Sequence, residues 1–437
     1  MPDIIIIGAG PGGYETAARA ASLGQKVTLI ERGHLGGTCL NRGCIPTKAL
    51  CRSAEVADII SSAAEYGIGA AGPTIDYASI AARKDNIVAS LREGVAQVLR
   101  DVDVIHGEAE FISPSEIKVG ERVYTAPKII VATGSCPAII NIPGAEYALT
   151  SDQFLAIDTL PASVTVIGGG VIGLEFASVL RSFGVDVTVI EGMPEILPPF
   201  DAEIAKRLRM ALKRRRINII TDALVKEITP AGGVTYEAKG KEKSVVSEMA
   251  IMAVGRRPVI PAGLVETGVP LTPRGFLAVD DNMLLMRSGD TSVYAIGDVN
   301  GRCMLAHAAT AQGEIALGLR TALGPIPSAV FTHPECAMVG LTEAQCAAQG
   351  LDVKIGKATF QANGKARAMG EPDGMVKTIV SVTDGKLLGC HIVGPHASDL
   401  IAEATLAMSS GLEAEAIVSS VHTHPTLAEI LPAAIPV

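Results

Sequence analysis

The feature that most restricts the fold of this chain is a glycine-rich strand–turn–helix pattern that occurs twice, from Gly8 and again from Gly168, 160 residues later. Asp3-Ile4-Ile5-Ile6-Ile7 is a continuous apolar run of the kind a parallel strand buried on both faces requires. It breaks into Gly8-Ala9-Gly10-Pro11-Gly12-Gly13, then an alanine-rich helical stretch to Leu23-Gly24 and a second strand, Lys26-Val27-Thr28-Leu29-Ile30, ending at Glu31. In the second copy the strand is Val164-Thr165-Val166-Ile167 and the turn Gly168-Gly169-Gly170-Val171-Ile172-Gly173. A helix follows over 174–183, and the strand Val187-Thr188-Val189-Ile190 ends at Glu191. In each copy the acid follows the first glycine by 23 residues.

Glycines at these spacings let the backbone turn tightly and approach a pyrophosphate at a helix N-terminus, where free N–H groups and the helix dipole favour negative charge. The acid closing the second strand hydrogen-bonds ribose hydroxyls. One such loop is a weak sign, since any α/β protein has glycine turns. Two copies, each with strand, helix, strand and acid, predict two dinucleotide-binding folds in one chain. Gly8, Gly10, Pro11, Gly13 and Glu31 frame the first, and Gly168, Gly170, Val171, Ile172, Gly173 and Glu191 the second. The Glu191 carboxylate repels the extra phosphate of NADP, and no basic residue lies between Val187 and Met193, so the second site prefers NAD.

The rest of the chain bounds the partners. Its 437 residues exceed one compact core and suggest about three domains. A net charge of −9 with no basic tail excludes nucleic acid, and aromatics at 3% with no tryptophan give little for base stacking. No run approaches the roughly 18 apolar residues of a membrane span, and Ile4 to Ile7 is too short for a signal core, so a soluble, cytoplasmic protein is expected. Strands are predicted at Lys128–Val131, running into Ala132-Thr133-Gly134, at Ala250–Val254 before Gly255, and at Val293–Ile296 before Gly297-Asp298. From about Pro325 the pattern becomes α+β, with a helix near 398–410. Polar, Pro- and Gly-containing junctions near 141–145, 263–273 and 324–327 divide the chain into 1–146, 147–266, 267–324 and 325–437.

Eight cysteines are scattered along the chain, and only Cys39 and Cys44 are closely spaced. They lie in Gly36-Gly37-Thr38-Cys39-Leu40-Asn41-Arg42-Gly43-Cys44-Ile45-Pro46-Thr47-Lys48. Four intervening residues allow a small disulfide ring if the segment bends, and the glycine lead-in permits that bend. Half a zinc site would need two further ligands in a comparable cluster, which Cys51 and the dispersed histidines do not offer. Two inert thiols are not excluded by spacing.

This segment resembles the redox-active motif of the pyridine nucleotide–disulfide oxidoreductases, in the form found in the branch that oxidises dihydrolipoyl groups. The resemblance runs the full length, through Ala253-Val254-Gly255-Arg256-Arg257-Pro258, Ala295-Ile296-Gly297-Asp298, Met304-Leu305-Ala306-His307, Thr332-His333-Pro334-Glu335 and a C-terminal His-Pro segment. It implies an α/β protein with two Rossmann-like dinucleotide-binding domains and a C-terminal α+β dimerisation domain. The four stretches become an FAD-binding domain, an NAD-binding domain, a central segment completing the FAD site, and an interface domain. It further implies FAD in the first fold and NAD in the second, with Cys39 and Cys44 as a redox disulfide. Cys44 is then the thiol against the flavin, and Cys39 exchanges with substrate. Lys48 pairs with Glu175 beside the flavin, and Asp298 holds the ribityl chain. A helix opening at Ala306-His307, after Leu305, directs its positive end at the flavin pyrimidine. Gly37, Thr38, Ala109, Thr133 and Gly134 complete the FAD set, and Val225 and Gly255 the NAD set.

Near the end stands His422-Thr423-His424-Pro425-Thr426-Leu427-Ala428-Glu429. Thiol–disulfide exchange needs a base to form the attacking thiolate and an acid to protonate the departing sulfur, and histidine serves both near neutral pH. A lone histidine near a terminus is ordinarily a surface residue. The resemblance assigns the base to His424 and its orienting carboxylate to Glu429, acting on the other subunit of an obligate homodimer. The short tail Leu431-Pro432-Ala433-Ala434-Ile435-Pro436-Val437 departs from a longer family arm. The implied partners are lipoyl-bearing proteins of a 2-oxo acid dehydrogenase or glycine cleavage complex. Alternatives are a reductase of another disulfide such as glutathione, which needs basic residues where Glu191 stands, and a mercuric reductase, which needs a C-terminal cysteine pair, whereas the last cysteine is Cys390. A flavin NADH oxidase or diaphorase does not need the cysteine pair, and a non-catalytic subunit has no use for Cys39, Cys44 and His424 together.

Overall fold

The computed structural model describes residues 1–436, so Val437, the last residue of the predicted tail, lies outside the described residues. The tail before it is ordered, with a helical turn at Ile430–Ala433.

Strand β1 (Ile4–Ile7) lies between β2 (Val27–Glu31) and the strand Lys128–Val131, parallel to both. Both of its faces are covered, which explains a run of four isoleucines without alternation. The order of this six-stranded sheet is Leu284–Ser288, Thr291–Ala295, Lys128–Val131, β1, β2 and β3 (Asp103–His106). The chain therefore returns to the first sheet after passing through the second. That sheet has five parallel strands, with Ser163–Ile167 between Asp186–Ile190 and Met249–Met252. In both sheets the strand order reverses beside the first strand of the repeat, which is where open α/β sheets bind ligands at their carboxyl ends.

Helix α1 (Pro11–Ser22) begins with proline at its first position, and no side chain fits at Gly13, where a Cβ would lie 1.8 Å from the Gly8 carbonyl oxygen. Gly173 repeats this relation, 2.1 Å from the Gly168 oxygen. The two loops are the same device at atomic detail.

The C-terminal part is an antiparallel five-stranded sheet, in the order Ser328–Val330, Glu335–Gly340, Leu387–Gly394, Met375–Ser381, Val353–Thr359, covered by the helix Ala397–Ser409. It is fastened to the second nucleotide fold by Lys377. The Nζ lies 3.0 Å from both oxygens of Asp201 and 2.6 Å from Glu343 Oε2. Asp201 also caps the helix Ala202–Arg214, accepting from the Glu203 N–H at 3.0 Å. Burial opposes charge on both groups, yet hydrogen bonds to Glu343 and Asp201 hold Lys377 above its ordinary pKa, and the bond from Lys377 holds Asp201 below its own. The lysine contribution is therefore complete below its unfolded pKa and lost as pH rises through the folded one. The aspartate contribution is complete above its unfolded pKa and lost as pH falls through the folded one. The pair is intact across neutral pH. Lys377→Met, which strands a buried carboxylate, is expected to destabilise the protein by about 3 kcal/mol at pH 7. Thermal unfolding checks this, and an unchanged transition would contradict it.

Candidate active site

Helices α2 (Gly37–Arg42) and α3 (Cys44–Ser62) are separated only by Gly43, where a Cβ would lie 2.9 Å from the Thr38 carbonyl oxygen. This break folds Cys39, on α2, back onto Cys44, the first residue of α3. Gly37 adopts φ +57°, and a side chain there would meet Gly10 Cα at 2.5 Å, so the cysteine segment crosses directly over the first glycine loop. Asn41 fixes the crossing, donating to the Leu35 and Gly37 carbonyls at 2.9 Å while accepting from Arg92 at 2.8 Å.

The structure has both sulfurs as free thiols. The pairing with the Cys44 side chain, followed by burial, raises the Cys39 pKa. The same pairing, helped by Lys48 against the opposing effect of burial, lowers Cys44 to about 7. The two thiols are pushed apart, Cys44 toward the thiolate and Cys39 toward the thiol. Cys44 should be largely protonated below pH 7 and a thiolate above it, where an ordinary cysteine is still a thiol. Ultraviolet thiolate absorbance of the reduced protein should therefore show one step near pH 7 that disappears in Cys44→Ser. A first step at pH 8.5 or above would contradict this.

One turn beyond Cys44, the Lys48 Nζ lies 2.9 Å from both oxygens of Glu175, a buried residue on the helix Val171–Ser182 of the second nucleotide fold. Burial works against the ammonium, but Glu175 outweighs it and holds the Lys48 pKa above its usual value. Phe331, which the sequence reading missed, closes this pair from the C-terminal domain. Its N–H donates to Glu175 Oε1 at 3.0 Å, and the Lys48 Nζ sits 4.4 Å from its ring centre. The only hint in the sequence was its place beside Thr332-His333-Pro334-Glu335. Cys51, whose thiol contacts the Phe331 carbonyl at 3.4 Å, is pushed up to about 12 by burial and is an inert neighbour.

The two acids act alike. Glu31 accepts from the Ala9 N–H at 2.6 Å and the Gly33 N–H at 2.7 Å, and Glu191 from Gly169 at 2.5 Å and Met193 at 2.7 Å. Gly134 (φ +68°) and Gly255 (φ +115°) lie in loops following parallel strands of the two sheets. Thr133 turns its hydroxyl to the Val259 carbonyl at 2.5 Å, and Ala109 is buried. Val225 lies in the antiparallel strand Ala223–Ile228, whose first N–H donates to the Glu191 carbonyl at 3.0 Å. Leu305 caps the helix Ala306–Ala316, while the His307 ring is engaged by the Pro327 carbonyl at 2.8 Å, so any ligand contact there belongs to the helix backbone. Asp298, in the turn Gly297–Asn300, accepts from the Ser135 hydroxyl.

His424 and Glu429 form a second group. The ring Nδ1 lies 2.8 Å from Glu429 Oε1, and Glu429 Oε2 accepts from the Thr426 N–H at 2.8 Å. The backbone bond from Thr426 and the bond to His424 hold the Glu429 carboxyl below its ordinary pKa. The His424 side chain is 80% exposed, whereas His422 is enclosed and spends both nitrogens, at 2.9 Å, on Ser420 and Glu403. No hydrogen bond or ion pair among the described residues joins the histidine group to the cysteine group within the chain.

Residues 2–313 match the family described as pyridine nucleotide-disulphide oxidoreductase, and residues 326–435 match its dimerisation domain. The chain belongs to this family. As a pyridine nucleotide-disulphide oxidoreductase it uses FAD and NAD, and it dimerises through the C-terminal domain. Similar curated proteins include the dihydrolipoyl dehydrogenases of Geobacillus stearothermophilus and Bacillus subtilis. Each is 40% identical, with 98% of this chain and 94% of the relative aligned. Among solved structures, the HOCl-induced flavoprotein disulfide reductase RclA from Escherichia coli superposes with a TM-score of 0.86 at 27% identity, covering 99% of each chain. No described helix is long and apolar enough to cross a membrane.

Proposed function

We propose that this protein is a cytoplasmic dihydrolipoyl dehydrogenase, oxidising dihydrolipoyl groups carried on a partner protein of a 2-oxo acid dehydrogenase or glycine cleavage complex and reducing NAD+. The observation that carries the reading is the Cys39–Cys44 pair, folded together at Gly43 and followed one turn later by the Lys48 ammonium held 2.9 Å from buried Glu175, in a chain aligned over 98% of its length with proteins of that name.

The residues fit the two dinucleotides. Both pyrophosphates would lie over glycine loops in which a side chain at Gly8 or Gly168 would strike backbone 2.5 and 2.4 Å away. Gly8, Gly10, Pro11, Gly13, Glu31, Gly37, Thr38, Asp298 and the helix after Leu305 would hold FAD. Gly168, Gly170 to Gly173, Glu191, Val225 and Gly255 would hold NAD. When bound, FAD would supply the two-electron link between the dithiol pair and NAD+.

The chain's own residues perform the exchange. A substrate thiolate attacks the Cys39 sulfur of the oxidised pair, forming a mixed disulfide and releasing Cys44 as a thiolate. The second substrate thiol then displaces Cys39, so the substrate leaves as a cyclic disulfide and the pair has gained two electrons. His424 of the partner subunit takes the proton of the first attacking thiol, passes it to the Cys39 sulfur as that sulfur departs, and takes up the proton of the second thiol, with Glu429 orienting the ring. Lys48 stabilises the Cys44 anion. The exposure of the His424 side chain within a single chain supports this use of the residue across the dimer.

The test is anaerobic mixing of the holoenzyme with dihydrolipoamide, followed by NAD+ or NADP+. NADH should form, with kcat/KM for NADP+ lower by about 100-fold. No NADH from dihydrolipoamide, or equal use of NADP+, would overturn the reading.

A further inference from the structure

Between the two nucleotide folds runs a short antiparallel pairing, Ser135–Pro137 with Arg256–Pro258, and one side chain on it does more than hold strands together. Arg256 Nε donates to the Ser135 hydroxyl at 2.7 Å, and its Nη2 donates to the Ser135 carbonyl at 2.8 Å. The Ser135 hydroxyl in turn donates to Asp298 Oδ2, while Arg256 Nε stands 3.8 Å from the same oxygen. Guanidinium is a donor only, so the serine oxygen must accept from it, and the single hydroxyl proton can then point only at the aspartate. The Arg256 side chain is 13% exposed and that of Asp298 25%, so water competes little for these bonds. All of these contacts go to Oδ2. Among the described residues no hydrogen bond goes to Oδ1, the oxygen left for a ligand hydroxyl.

The position of Arg256 gives the bond a second consequence. A Cβ at Gly168, the first glycine of the second loop, would meet the Ala253 carbonyl oxygen at 2.4 Å and the Val254 nitrogen at 3.2 Å. The backbone that supports the NAD loop is therefore the backbone that, two residues later, delivers the arginine to the flavin side. Gly255 makes the intervening turn at φ +115°, and its carbonyl accepts from the Ala138 N–H at 2.9 Å.

We propose that Arg256 is a positioning residue for FAD: through Ser135 it fixes the carboxylate of Asp298 in the orientation that receives the flavin side chain, and it ties that orientation to the strand supporting the NAD loop. The inference rests on the reading of Asp298 as an FAD ligand. Methionine at 256 keeps bulk and removes both donors. Lysine keeps charge and one donor but cannot make the forked contact.

The experiment follows FAD release from the holoenzyme by the fluorescence of freed flavin. Arg256→Met is expected to release FAD about tenfold faster, Arg256→Lys by less, and Ser135→Ala by about as much as Arg256→Met. Because the two residues act as one chain, the double variant should be no faster than either single one. Bound NAD+ should perturb the flavin absorbance spectrum of the wild type and do so less in Arg256→Met. A merely structural arginine would lower thermal stability and leave release and spectrum unchanged, which would overturn the proposal, as would additive effects in the double variant. Asp298→Ala separates the two levels. Rapid FAD loss from it together with wild-type release from Arg256→Met rejects the arginine's role alone. Wild-type release from Asp298→Ala rejects the underlying reading of the aspartate and the proposal with it.

Discussion

Replacing Cys44 with serine should lower NAD+ reduction by dihydrolipoamide on the order of 10⁴-fold, leaving only a trace of turnover. In the proposed mechanism Cys44 is the sulfur expelled when substrate enters at Cys39, and the lowering of its pKa to about 7 makes it the better leaving group of the two. Serine has neither the low pKa nor a bond to break. Cys39→Ser should be comparably inactive, and the double variant no worse than either single one, because the two act as a unit. Electron flow from NADH to an artificial one-electron acceptor should survive in both, since it bypasses the sulfur pair. Steady-state assays of both reactions on one preparation check this. A Cys44→Ser protein that oxidised dihydrolipoamide at a normal rate would remove the cysteine pair from the mechanism.

His424→Gln should lower the same activity by about 10²- to 10⁴-fold, the usual range for loss of general acid–base catalysis. Glutamine can occupy the place of the ring but cannot carry the proton. Glu429→Gln should cost less, because the 2.8 Å bond to Nδ1 orients the imidazole and does not itself transfer the reacting proton. The shared site makes a sharper claim. If His424 serves the cysteines of the other subunit, Cys44→Ser and His424→Gln chains, each inactive alone, regain one intact site when they pair. Random reassembly of equal amounts should restore about a quarter of wild-type activity, because half the dimers are mixed and each has one good site of two. No recovery in dimers shown to have mixed would place the histidine and the cysteines in the same chain.

What the sequence made legible follows from how local each device is. The glycine loops and their acids are spelled within about 25 residues, and the same local constraint operates in both copies. Glu31 and Glu191 even make matching hydrogen bonds, to the residue after the first glycine and to the backbone two residues on. The sequence placed the bend in the cysteine segment at its Gly36-Gly37 lead-in, whereas the helices break at Gly43, and the Lys48–Glu175 pair was legible through the family resemblance. Contacts made by backbone atoms or across domains were not legible. Phe331 acts through its N–H and the face of its ring on residues 156 and 283 positions earlier, and nothing in an isolated phenylalanine signals that. Arg256 and Ser135 were hidden for a related reason: their partnership exists only because a two-stranded crossing sets residues 121 apart side by side. His307 shows the converse case. Its position at a helix start was readable, but the engagement of its ring by Pro327 depends on where a loop 20 residues later passes.

The central claim is that Cys39 and Cys44, alone among eight cysteines, exchange electrons with the substrate. Differential alkylation with two mass-distinguishable reagents tests it most directly, one applied to the oxidised holoenzyme and the other after one equivalent of dihydrolipoamide under anaerobic conditions. Cys39 and Cys44 should carry only the second reagent, with the remaining six cysteines unchanged between the two states. If either residue is already alkylated before reduction, or if a different cysteine acquires the second label, the account is wrong.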